Sequence, residues 1–203
     1  MSASNDSNER VLVISSDCHA GTLPSGYNEY MPAKYRDDAN AWWVTYTREM
    51  MNRAGTFFDQ EAVEAYGEKA GEGGERMKAM SDPNYSPTDS DLLEMLSDPS
   101  NPFAPRRGEF DAGVRIKELD DDGVAGEVIF PQMAPFGAGL MQYRRDVSPE
   151  HNLEGCRAYN RWLADFCKET PGRRAGVGLI TIDDIEQAVS EVEWLRRNDV
   201  FGG

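Results

Sequence analysis

The chain has 203 residues, 39% of them hydrophobic, with a formal net charge of −15 and three cysteines. That length suffices for one domain with a real core, and a balance this acidic excludes nucleic-acid and anionic-membrane surfaces, which select basic patches. No apolar run approaches the 18 or so residues of a membrane span, and the polar start Met1–Arg10 followed by a short apolar stretch does not make a secretory signal. An odd cysteine count (Cys18, Cys156, Cys167) without metal-finger spacing reads as reduced thiols, and a cytoplasmic location is expected.

Residues 1–10 read as a disordered tail. Val11-Leu12-Val13-Ile14 then opens a strand that ends in Asp17-Cys18-His19. Side chains two apart on a strand share a face, so Asp17 and His19 converge, and Cys18 points to the opposite face as packing. One carboxylate and one imidazole on rigid backbone make half of a divalent-metal site. The alternative is a strand-end carboxylate that caps backbone amides beside a buried imidazole. Residues 20–109 lack a strong period and read as an insertion or lid, with helices around 41–53 and 91–96 and a polar, Gly-rich stretch over 59–80. Trp42, Trp43 and Tyr46 read as a small satellite core, or as the cap of a pocket.

Order returns at Phe110. Asp111 is placed to cap a helix carrying Val114, Ile116 and Leu119, and Gly123 stands just past its end. Val124–Phe130 reads as a buried second strand closed by Pro131. The loop Gln132–Gly139 follows, and Gln132 and Phe136 are its candidate substrate contacts; the alternative is a loop that only turns the chain toward the next helix. Ser148-Pro149 opens a strong helix whose Leu153, Cys156, Tyr159, Leu163 and Phe166 form one apolar stripe. His151 at its start reads as a solvated or capping residue. A third strand over Ala175–Thr181, a Thr181/Asp184 capping box, a helical stripe of Ile185, Val189, Val192 and Leu195, and the approach to a fourth strand at Asp199–Gly203 complete the chain.

Alternating strands and helices are the grammar of a parallel sheet with helical crossovers. No glycine fingerprint follows the first strand, which argues against a nucleotide-binding Rossmann domain. Paired ligands at the carboxyl end of a strand instead fit a (β/α)₈ TIM barrel. A full barrel takes roughly 250 residues, so the expectation is an incomplete one: an α/β fold over residues 11–203 with about the first three to four βα units.

The blocks Ile14–His19, Phe110–Pro131 (with Ile116–Val124 inside it) and Ala158–Leu163 together resemble the amidohydrolase-related family of metal-dependent hydrolases and of decarboxylases of the aminocarboxymuconate-semialdehyde type. The resemblance implies an amino-terminal part of such an enzyme, with Asp17 and His19 as two ligands of one divalent ion. Mixed N/O ligands suit zinc, with manganese as the second choice. It also implies a further His and an acid/base Asp beyond Gly203, since His151 comes too early in the fold to be that ligand. The implied activity is hydrolysis of a small carboxylate, amide, ester or lactone, or else non-oxidative decarboxylation. A non-catalytic half-barrel that pairs with a partner is a third expectation. A small-molecule substrate and a homo-oligomer are the expected partners, because an incomplete barrel exposes a strand edge and an apolar inner face.

Overall fold

The structure is a computed structural model that describes residues 11–57, 88, 90, 106–138 and 147–201. It is an α/β arrangement built on a three-stranded parallel sheet in the order β1 (Val13–Ala20), β2 (Val124–Pro131), β3 (Arg174–Gly176). A single parallel bridge, Val177 to Phe201, starts a fourth position beside β3. Two 3₁₀ turns (Pro24–Tyr30 and Ala33–Tyr35) and the helix α1 (Arg36–Phe57) follow β1. Helices α2 (Arg107–Phe110) and α3 (Ala112–Asp121) lead into β2. Helix α4 (Pro149–Lys168) joins β2 to β3, and α5 (Ile185–Arg197) follows β3. Among the described residues no helix is long and apolar enough to cross a membrane.

Local chemistry sets the helix ends. The Asp111 carboxylate accepts from the Val114 amide at 2.9 Å, and Gly123 takes φ +71° just past α3, a conformation that costs glycine nothing. Ser148 caps α4 by accepting from the His151 amide at 3.2 Å, with Pro149 in the first turn. The expected stripe of α4 is largely buried: Cys156, Tyr159, Leu163 and Phe166 are all in the core. Gly155 on the same helix has no room for a side chain, because a Cβ there would stand 2.2 Å from the Pro135 carbonyl oxygen. The loop after β2 therefore lies directly on the helix backbone.

Four expectations need correction. Trp42 and Trp43 do not form a satellite; they are buried in the main core, with Trp42 stacked on Tyr46 at 5.2 Å. The third strand is shorter than 175–181, because the Asn160 side chain takes the Leu179 backbone on both sides (2.7 and 2.8 Å) and removes it from any ladder. The cap of α5 is Asp184, whose carboxylate accepts from the amides of Glu186 (2.9 Å) and Gln187 (3.1 Å), and not Thr181, which is buried. Finally, α5 buries Ala188, Glu191 and Leu195, leaving Ile185, Val189 and Val192 exposed at 66%, 54% and 47%. The cause is polar: Glu191 is drawn inward by Asn160 at 2.8 Å and by Arg161, which rotates the apolar stripe outward. The expected helix around 91–96 and the stretch 59–80 lie outside the described residues.

Among the described residues the sheet is covered on one face. There Glu127 and Arg174, fully buried at their side chains, form an ion pair at 3.1 Å. Arg115 grips the same carboxylate from α3 with three bonds of 2.6 to 2.9 Å. Arg174 also donates to the backbone carbonyls of Phe166 and Ala112, both at 3.0 Å, so one guanidinium ties β3 to α4 and α3. Burial works to raise the Glu127 carboxyl, but its bonds to Arg115 and the positive charges of Arg115 and Arg174 together hold it below the usual carboxylate range. The opposite face carries Ile14, Asp17, His19 and Phe130, all exposed.

Candidate functional site

Register explains how the first strand presents its end. Ser15 pairs with Glu127 and Cys18 with Ile129, so β1 advances three residues while β2 advances two. The extra residue is a β-bulge. It puts Ser15 and Cys18 on the covered face together, where the Cys18 thiol donates to the Ser15 hydroxyl at 3.0 Å. Asp17 and His19 then share the open face, with Asp17 Oδ1 3.5 Å from His19 Nε2 and side-chain exposures of 83% and 45%. The structure thus brings the two residues singled out in the sequence to one point and turns Cys18 away from it.

The hydrogen-bond arithmetic at His19 decides what that point can do. Its Nδ1 lies 3.1 Å from the Pro131 carbonyl oxygen. A carbonyl only accepts, so Nδ1 carries the hydrogen, and a neutral ring then aims the Nε2 lone pair at the Asp17 carboxylate. Two electron-pair donors face each other, and only a cation placed between them, a proton or a metal ion, makes the contact favourable. Two ligands of a tetrahedral ion with bonds of about 2.0–2.2 Å stand roughly 3.4 Å apart, close to the spacing found. An imidazole steadied by a backbone carbonyl through its other nitrogen is also the usual environment of a metal-ligating histidine. The pair fits one divalent ion. It provides two ligands only: among the described residues no three His, Cys, Asp or Glu side chains come together to hold a metal.

The second Asp–His pair in the chain is built differently. His151 Nε2 meets Asp38 Oδ2 at 3.0 Å, and Nδ1 meets the Ser148 hydroxyl at 2.9 Å. The carboxylate accepts from Nε2–H and the hydroxyl donates to Nδ1, so every donor has an acceptor. The ring lies beside Phe136 at 4.6 Å and Tyr35 at 5.7 Å. The cap of α4 is Ser148; the His151 side chain instead joins α4 to α1 through Asp38, and its neighbour Glu150 bonds Tyr35 and, at 3.3 Å, Lys34.

The two loop residues separate. Phe136 is buried, with φ +62°, and packs against His151 inside the core, so it is not a surface for substrate. The sharp turn from β2 down onto α4 drives it inward. Gln132 is half-buried beside Gly21 at the carboxyl ends of β1 and β2, its backbone N–H donating to the Ala20 carbonyl at 3.2 Å. Tyr27 fixes both loops by accepting from the Thr22 amide (3.2 Å) and donating to the Met133 carbonyl (2.7 Å).

Sequence reasoning missed Pro131, whose carbonyl orients His19, and Phe130, its register partner. The signal was present in Phe130-Pro131 at the end of an apolar run, since parallel register aligns the ends of neighbouring strands. A cleft of about 680 Å³ lies lower on the sheet, lined by Ile14, Gly126, Val128, Arg173, Ala175 and Phe201 among others, and includes neither Asp17 nor His19.

No protein-family model matches the chain, and no curated protein does.

Proposed function

We propose that the chain belongs to a metal-dependent hydrolase of the amidohydrolase-related type, built as a partial TIM barrel, in which Asp17 and His19 hold one divalent ion, zinc or manganese. The observation that carries this reading is the pair of facing electron-pair donors, 3.5 Å apart, with the far imidazole nitrogen committed to Pro131. The barrel reading draws support from three features. Helices pack on one face of a parallel sheet. The pair sits at the carboxyl end of β1 on the other face, where barrel enzymes carry their chemistry. The flank of α5 that bears Ile185, Val189 and Val192 is apolar and uncovered, as expected where a further βα unit would pack.

A bound divalent ion supplies Lewis acidity and a more acidic water at neutral pH. The chain's own part is to bind and orient. His19 offers Nε2 in a fixed ring direction set by the Pro131 carbonyl, and Asp17 supplies the negative charge. Gln132 stands at the same end of the sheet, where its amide side chain can meet a polar group of a small carboxylate, amide, ester or lactone. At least one further ligand and a proton-handling group have to join the pair. A lyase of the same family would use the same two ligands, and release of carbon dioxide without hydrolysis is the outcome that replaces the hydrolase reading.

The test is calorimetric titration of the chain with Zn²⁺ and Mn²⁺, repeated on Asp17→Ala and His19→Ala. Loss of one ligand lowers affinity by about 100-fold or more, the upper range seen even for second-shell changes. Affinity unchanged in both variants overturns the assignment.

An associating part-barrel is the second reading, favoured by the exposure of Ile14, Phe201 and the α5 stripe. Light scattering decides it: oligomers are expected, and a monodisperse monomer counts against it.

A further inference from the structure

We propose that Ser148, His151 and Asp38 form a second site, in which a nucleophilic serine hydrolyses small uncharged esters. The inference is independent of the Asp17–His19 reading and rests on three side chains brought together from α1 and the start of α4. Asp38 Oδ2 lies 3.0 Å from His151 Nε2, and the Ser148 hydroxyl lies 2.9 Å from His151 Nδ1. A carboxylate only accepts, so Nε2 carries the ring hydrogen and, in the neutral ring, Nδ1 presents its lone pair to the hydroxyl proton. Nucleophile, base and orienting carboxylate are joined in the order that acyl transfer uses, whichever ring nitrogen faces the serine.

Capping alone accounts for less than is present. The cap of α4 needs only the Ser148 oxygen, which accepts from the His151 amide at 3.2 Å. It needs neither the imidazole nor a carboxylate from 113 residues earlier in the chain. The ring is also held in place, its centroid 4.6 Å from that of Phe136 and 5.7 Å from that of Tyr35. A hydroxyl oxygen has two lone pairs. The cap uses one, and because Ser148 is exposed the other is open to a carbonyl carbon. Attack forms the Oγ–C bond while the hydroxyl proton passes to Nδ1. That proton leaves with the alcohol as the C–O bond breaks, and water then releases the acid and restores the serine. The dipole of α4 favours the negative charge that develops on the carbonyl oxygen beside its amino end. Asp38 and Glu150, with Asp37 in the same turn of α1, outnumber Lys34, so uncharged esters fit the site better than anionic ones.

The experiment uses the 203-residue protein in EDTA, so that no metal-bound water contributes. Two probes are added separately: p-nitrophenyl acetate, and diisopropyl fluorophosphate, whose phosphorus takes the serine oxygen and loses fluoride. We expect release of p-nitrophenolate, and a mass increase on the peptide that carries Ser148. Ser148→Asn keeps a good cap and loses both signals. His151→Gln slows labelling of Ser148 by about 100-fold, the lower end for a general base. Asp38→Asn slows it as well, at a temperature where that variant is fully folded, which a merely structural contact would not do. An unlabelled Ser148, ester hydrolysis that Ser148→Asn retains in full, or labelling at the full rate in either His151→Gln or Asp38→Asn overturns the proposal. None of these results touches the Asp17–His19 reading, which the zinc titration tests by itself.

Discussion

The two faces of the same strands use charge in opposite ways. On the covered face Glu127 meets Arg115 and Arg174, and the Arg174 nitrogens not used by the carboxylate find the carbonyls of Phe166 and Ala112. On the open face Asp17 and His19 meet largely exposed, and their contact needs a cation between them, a proton or a metal ion. The first arrangement is complete and serves the fold. The second is incomplete and has a use for something from outside. Burial and full hydrogen bonding mark structural charge, and the unfinished contact marks the candidate site.

That contrast makes predictions of graded size. Glu127→Ala leaves two buried guanidinium groups without their carboxylate and is expected to cost about 3–5 kcal/mol in urea unfolding. Asp17→Ala, at a largely exposed side chain, is expected to stay within about 0.5 kcal/mol. A comparable loss at both positions would erase the distinction between the faces. Acid sharpens it further. The folded carboxyl of Glu127 sits below its unfolded value, so it contributes stability above the unfolded pKa of about 4.3, and that stability is lost as pH falls through the folded value. Thermal melts from pH 6 to pH 2.5 should therefore fall less steeply in Glu127→Gln than in the unaltered protein. A further small effect belongs to the other Asp–His pair. Asp38→Asn is expected to lower stability by less than about 1 kcal/mol, the range of exposed ion pairs, and to leave zinc binding unchanged, which the calorimetric titration checks.

The parts legible in the sequence were those written locally. Asp111, Gly123, Ser148 and Pro149 mark helix ends through bonds that reach only three or four residues. The stripe of α4 is apolar enough to dictate its own burial. Asp17 and His19 still share the open face although the bulge falls between Ser15 and Cys18. What was not legible depends on partners far along the chain. Glu127 inside Val-Ala-Gly-Glu-Val-Ile-Phe is a charge in an apolar strand, which signals a buried pair, but nothing local says that Arg115 and Arg174 supply it. The orientation of α5 followed Glu191 toward Asn160 and Arg161, 31 and 30 residues earlier, against its own apolar periodicity. Phe136 is enclosed and Phe130 left exposed for the same reason: both follow or end β2, and only the fold of the loop onto α4 decides which ring is buried.

Gly155 carries a consequence for how far this architecture tolerates change. Helix α4 and the loop after β2 meet backbone to backbone at Pro135, with no side chain between them to act as a spacer. A contact made of two main chains has no rotamers with which to absorb an error. Adding a single methyl group there, by Gly155→Ala, would push the loop and the helix apart as rigid pieces and carry Gln132, Pro131 and the ring of His19 with them. The tightest mechanical tolerance on the candidate site is set by a residue that takes no part in its chemistry.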